Sequence, residues 1–226
     1  MTFSRLRIGL LYFLLFAGGL WHITGYFQNI MRETAGLMMI GLALWLLAEF
    51  FLAPETNHGA GITRERIKLV IFSLPVIVIT WLVEWAGVQS GLIFGHYHYG
   101  DVLQPQIAGV PVAIGFAWLT LLISAAALER KIPGFPLSQS HFTRAARIAA
   151  LMVVFDLLME PVAVKLDYWQ WSGGHIPLQN YAAWFLISFA LAYFTLRFRI
   201  QPKKWPQNAI HFYTAQLLYF VLVYFV

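Results

Sequence analysis

Seven apolar runs alternate with short polar stretches along the chain, at roughly 8–28, 36–53, 67–88, 109–128, 146–164, 181–199 and 207–226. A helix needs about 20 apolar residues to cross the hydrocarbon core of a bilayer, and each run reaches or approaches that length. Backbone polar groups in lipid have no water to bond, so such a run satisfies itself as a helix. The pattern predicts an all-α, polytopic membrane protein, a bundle of about seven transmembrane helices. The 226 residues leave room only for connections, so one transmembrane domain over 1–226 is expected.

Basic residues orient these spans. Thirteen of the 15 Lys and Arg fall on one side: Arg5 and Arg7, then Arg64, Arg66 and Lys68, then Arg130, Lys131, Arg144 and Arg147, then Arg197, Arg199, Lys203 and Lys204. The other side receives only Arg32 and Lys165. Lys and Arg concentrate in cytoplasmic loops, so the amino end is expected in the cytoplasm and the carboxyl end outside. The expected location is the cell's inner (plasma) membrane, as a multi-pass protein. Arg5, Arg7, the apolar stretch and Ala17-Gly18-Gly19 loosely fit a signal peptide,. The first run is nonetheless expected to remain as a span.

Composition narrows the class. Apolar residues make up 60% of the chain and charged residues 11%. A soluble domain has about 45–50% and about 25%, so a water-soluble globule is excluded. The net charge of +5 comes from the cytoplasmic loops and suits anionic lipid headgroups, not nucleic acid,. Cysteine is absent, which removes disulfides, thiol nucleophiles and cysteine metal sites,.

Ionisable groups at membrane depth are expensive, and each is a candidate for function. The fifth run holds two, Asp156 and Glu160, followed by Pro161. Counted from Arg147, they lie about 14 and about 20 Å along the helix at 1.5 Å per residue. Their i,i+4 spacing puts both carboxyls on one face. Two carboxyls so placed do not both ionise cheaply, so one is expected to keep its proton, as a general acid requires. Pro161 is expected to kink the helix and free the carbonyl of Leu157. The alternative is that the acids only hold helices together. Glu84, near the outer end of the third run, is either an interfacial carboxylate or a third member of the cluster. Glu49 reads as interfacial, at the cytoplasmic end. Asn208, His211, Gln216 and Tyr219 of the last run read as interhelical hydrogen-bonding groups.

Two loops flank the acids on the outer side. They carry Phe94, Tyr97 and Tyr99 in one and Tyr168, Trp169, Trp171, His175 and Asn180 in the other, with Trp184 following. They could form an aromatic belt at the lipid–water boundary. They could also wall a cavity whose rings stabilise a passing cation. On the second reading Tyr97, Tyr99, Trp169, Trp171, Trp184 and His175 bind substrate. His96, His98, Asp101 and His175 suggest a metal site only weakly, and no metal is expected.

The order of these pieces resembles a known family. Phe94-Gly-x-Tyr97-x-Tyr99 precedes Gly109-Val-Pro111, Asp156-x-x-x-Glu160-Pro161 leads into Tyr168-Trp169-x-Trp171, and Ile176-Pro-x-x-Asn180-Tyr-x-x-Trp184 closes the set. The pattern, over about 84–185, is similar to membrane-integral carotenoid biosynthesis proteins of the bisanhydrobacterioruberin hydratase and gamma-carotene hydratase type. The likeness falls on Asp156, Pro161, Trp171, Pro177 and Asn180. Glu160 stands where the family more usually has Asp, and Ala183 where it commonly has Gly. The resemblance implies cofactor-free addition of water to the terminal isopropylidene double bond of a long polyene. Asp156 or Glu160 would protonate the alkene. The tertiary cation would be flanked by aromatic rings, and a water held by the second carboxylate, Glu84 or Asn180 would attack. The partners implied are a lipid-soluble carotenoid, water and membrane lipids. A lycopene cyclase-like enzyme shares the first step and differs in what captures the cation. A non-catalytic carotenoid or lipid binder is the remaining alternative.

Overall fold

The computed structural model describes residues 3–52, 60–134, 139–200, 205–206 and 208–225. Seven helices follow one another: α1 (Phe3–Thr24), α2 (Gln28–Leu52), α3 (Ala60–Ser90), α4 (Ala113–Glu129), α5 (His141–Lys165), α6 (Leu178–Arg197) and α7 (Ala209–Tyr224). Four short strands lie in the outer loops: β1 (Tyr97–Tyr99), β2 (Gln106–Ile107), β3 (Val110–Pro111) and β4 (Trp169–Trp171). β1 pairs antiparallel with β4 across 70 residues of chain, and β2 with β3 as a local hairpin. The all-α expectation thus holds for the bundle but missed the strands, which are too short to show as runs.

Among the described residues three stretches are long and apolar enough to cross a membrane, Ser4–Thr24, Gln28–Phe51 and Ile67–Ser90. The helices α4 and α7 are apolar but shorter, at 17 and 16 residues. On α1 and α3 the large apolar residues Leu6, Leu10, Phe13, Ile67, Ile71 and Leu74 are exposed, which suits contact with lipid chains rather than water,.

Several boundaries differ from the apolar runs. The second helix begins at Gln28 rather than near 36, so only 25–27 separate α1 from α2. Gly25 and Phe27 take positive φ in that tight turn. The polar Asn29, Arg32 and Glu33 are absorbed into the helix. Pro75 and Pro161 both lie inside continuous helices, and α5 runs on to Lys165 past Pro161. The Ser140 side chain caps α5 by accepting from the Thr143 N–H at 3.2 Å,. Lys203 and Lys204 lie outside the described residues, and so do the end of the second run at 53 and residues 207 and 226 of the last.

The central helix is α4. It is apolar on every side and buried along nearly its whole length, as expected of a helix surrounded by others,. It packs against α2, α3, α5 and α7, while α5 lies along α6 and α1 along α7. Gly115 lets α4 approach α3 closely, because a Cβ there would come within 2.4 Å of the Ile77 carbonyl oxygen. Two side-chain contacts latch α1 to α7: Ser4 Oγ donates to Asn208 Oδ1 at 3.0 Å, and Tyr12 OH meets His211 Nδ1 at 3.1 Å.

The end of the bundle that carries the basic loops has its own buried ions. Glu129, with no exposed surface, accepts from Arg144 Nη2 at 2.8 Å and from Arg147 Nη2 at 2.5 Å, tying α4 to α5. Glu49 is also buried, at 2% exposure, and not interfacial as its sequence position suggests. It accepts from Trp45 Nε1 at 2.9 Å and pairs with Arg7 Nε at 2.9 Å. In the sequence Arg7 stands ahead of the first apolar run, whereas α1 begins at Phe3 and includes Arg7, which brings it to Glu49.

Candidate active site

The opposite end of the bundle holds the acids. Asp156 and Glu160 lie one turn apart on the face of α5 turned toward α6. Asn180 stands in the first turn of α6 and bridges them. Its Nδ2 donates to Asp156 Oδ2 at 2.9 Å and to Glu160 Oε1 at 3.3 Å. All three side chains are buried, Asp156 completely. The other oxygen of Asp156, Oδ1, is buried without a hydrogen-bond partner among the described residues.

The β1–β4 pair places the aromatic groups. Side chains of a strand alternate between faces, so Tyr97 and Tyr99 share one face and Trp169 and Trp171 share one face. The register sets Tyr97 opposite Trp171 and Tyr99 opposite Trp169, which makes these one common face. Their rings pack across the strands, Tyr97 on Trp171 at 5.0 Å between centroids. Each strand serves one acid. Tyr97 and Tyr99 donate their hydroxyls to Glu84 Oε2 at 2.5 and 2.9 Å. Trp169 and Trp171 donate their indole N–H groups to Glu160 Oε2, both at 3.0 Å. From α4, Trp118 Nε1 donates to Glu84 Oε1 at 2.9 Å and stacks on Trp184 with ring centroids 4.0 Å apart. Burial, together with the charge of Glu84, raises the phenols of Tyr97 and Tyr99, so both remain proton donors at neutral pH.

Gly95 seats this pair of strands. Its φ is +108°, and a Cβ there would lie 2.7 Å from Pro177 Cγ. Only glycine takes this backbone freely, and only glycine lets β1 approach the start of α6 so closely.

Under the strands lies a cavity with about 700 Å³ of space not filled by atoms, part of it open to the outside. Its polar wall holds Glu84, Glu160 and Asn180 beneath the Tyr and Trp rings. Its apolar wall comes from Met39 of α2, Leu121 of α4, Phe155 and Met159 of α5, and Phe220 of α7.

Most of the residues singled out in the sequence therefore converge. Glu84 is a third buried acid of the cluster, not an interfacial carboxylate. Tyr97, Tyr99, Trp169, Trp171, Trp184, Glu160 and Asn180 line the cavity. Asp156 does not line it and connects to it through the Asn180 amide. His175 stands apart from the cavity. It follows the tight turn after β4, is exposed, and its Nδ1 meets the Gly173 carbonyl at 2.9 Å. The same strand alternation that turns the tyrosines inward leaves His98 exposed, and His96 is exposed beside it. Among the described residues no group of three or more His, Asp or Glu could hold a metal ion. Gln216 lines the cavity but bonds within its own helix, donating to the Phe212 carbonyl at 2.8 Å rather than to another helix. Trp118 was missed, because an aromatic residue inside an apolar run carries no mark of its partner.

The bundle thus buries three acids close to an aromatic two-stranded cover and an apolar cavity wall. The chain belongs to the carotenoid biosynthesis protein family, whose sequence profile matches residues 36–226. The match thus reaches the second and last helices as well as the 84–185 segment. Among curated proteins the chain is similar to the bisanhydrobacterioruberin hydratase of Haloarcula japonica, at 29% identity over 151 residues. That alignment covers 64% of this chain and 47% of the relative, so the chain spans about half the length of the curated protein it matches. No solved structure matches the chain.

Proposed function

We propose that the protein is a cofactor-independent carotenoid hydratase. In this reading it adds water to the terminal isopropylidene double bond of an acyclic carotenoid. The observation that carries the proposal is that Glu160 and Glu84 line one aromatic cavity, with Asp156 joined to Glu160 through Asn180.

An isolated alkene is a weak base and needs a desolvated acid already holding its proton. Asp156 and Glu160 share one proton. The free Oδ1 of Asp156 is the oxygen with room to keep it at rest, and transfer of that proton to Glu160, one turn away, arms the member that meets the substrate. Protonation forms a C–H bond at the outer alkene carbon and leaves a tertiary cation at the inner one. The faces of Tyr97, Tyr99, Trp169 and Trp171 stabilise that charge. A water on Glu84 attacks, its oxygen forming the C–O bond and its proton passing to the Glu84 carboxylate. Return of that proton from Glu84 to the Asp156–Glu160 pair restores the resting state, so the sum is one water added, with no oxidation and no group left over. Asp156 is a positioning residue here; Glu160 and Glu84 are the catalytic ones.

The bundle crosses the membrane seven times in this reading, with the amino end in the cytoplasm and the cavity in the outer half of the inner (plasma) membrane. The polyene then arrives from the lipid. The basic loops and the Glu129–Arg144–Arg147 cluster lie at the end opposite the cavity, as this orientation requires,.

Mass spectrometry of pigments from lycopene-producing cells tests the proposal. Cells with the wild-type protein should accumulate a product heavier by one water, and cells with Glu160→Gln should not. A product of unchanged mass but altered absorption would indicate cyclisation. Bound but unaltered pigment would indicate a non-catalytic binder. Either result overturns the hydratase reading.

A further inference from the structure

Among the described residues, no Lys, Arg or His lines the cavity that Glu84 and Glu160 share. They are 5% and 2% exposed, and none of the ion pairs among the described residues involves them. Each accepts three N–H or O–H groups: Tyr97, Tyr99 and Trp118 on Glu84, and Trp169, Trp171 and Asn180 on Glu160. A carboxylate is acceptor-only, while a carboxylic acid gives up acceptor capacity to its own O–H. With the shared proton resting on Asp156, three neutral donors apiece suit carboxylates at Glu84 and Glu160. Buried carboxylates without a cation are costly, and the site supplies none of its own.

We propose that this cavity is a binding site for a positively charged head group on an apolar chain, specifically a protonated long-chain tertiary amine. The two carboxylates attract the ammonium from two sides. The ring faces of the β1–β4 pair and of the stacked Trp118 and Trp184 add cation–π attraction in a desolvated setting,. The wall of Met39, Leu121, Phe155 and Phe220 takes the chain. The proposal needs only the charge and shape of the cavity, and it would hold whether or not hydration occurs there.

Binding is measured on the full chain in nanodiscs of zwitterionic lipid, by the change in tryptophan fluorescence. The probes are a farnesyl-length N,N-dimethylamine and its neutral isostere, in which carbon replaces nitrogen. The wild-type protein should bind the amine about tenfold or more tightly than the isostere, the weight of one or two desolvated cation–π contacts. Equal binding of the two probes overturns the proposal without any variant being needed. In Glu84→Gln and Glu160→Gln, checked for folding by circular dichroism, the preference for the amine should collapse. A preference that survives in both variants also overturns it. The hydration assay on the same preparations separates the two readings. An amine-selective protein that leaves the polyene unaltered supports this proposal and sinks the hydratase. A hydrating protein blind to the charge does the reverse.

Discussion

Asn180 holds the acid pair together, since one amide nitrogen reaches both carboxyls. Replacing it with Leu leaves two buried carboxyls without their common donor, so activity should fall by a factor on the order of 10² or more, the weight of a positioned acid. Asp156→Asn keeps the shape and the Asn180 contact but removes the store of protons. Pigment assays should show hydration reduced about 10²–10⁴-fold while the protein stays folded. The curve of residual activity against pH distinguishes the roles, because a purely structural change would scale that curve without moving it. At this scale the sequence was informative where polarity stood out. Asp156 and Glu160 were legible from i,i+4 spacing inside an apolar run. Glu84 was legible as an acid, but the sequence left open whether it joins the cluster, because its partners come from a loop and from α4. His175 was misjudged, since nothing in its neighbours shows that a tight turn carries it to the surface.

The decisive element is the β1–β4 pair. It converts two loops 70 residues apart into one cover and delivers two donors to each of two acids. Gly95→Ala should strain this cover, because its Cβ would meet Pro177 at a φ of +108°. A loss of about 1–3 kcal/mol is expected from strain at such a position, together with reduced activity, both measurable by thermal unfolding and pigment assay. At the other end, Glu129→Gln leaves the buried Arg144 and the half-buried Arg147 beside a neutral amide. That should cost about 3–5 kcal/mol of stability while activity per folded molecule is unchanged. The helices were legible because apolar runs of bilayer length leave the backbone little alternative. The strands were not, being only two or three residues long. Their trace was the repeated period of two in Tyr-x-Tyr and Trp-x-Trp, which the aromatic richness of the loops concealed.

The whole molecule separates its two kinds of buried charge. Buried ion-paired acids lie at the end with the basic loops, and buried acids bonded only to neutral donors lie at the other. A reporter fused to the amino end should be active only in the cytoplasm, and one fused to the carboxyl end only outside. Both reporters on the same side would remove the seven-span reading. Capture by water of a cation formed beneath the β1–β4 cover is the central chemical claim. Membranes containing the wild-type protein and an acyclic carotenoid, incubated in ¹⁸O-labelled water, test this most directly by mass spectrometry of the product. A tertiary alcohol carrying the heavy oxygen in wild type, and absent in Glu160→Gln, is the expected result. An alcohol with unlabelled oxygen, or a labelled one made equally well by Glu160→Gln, would contradict it.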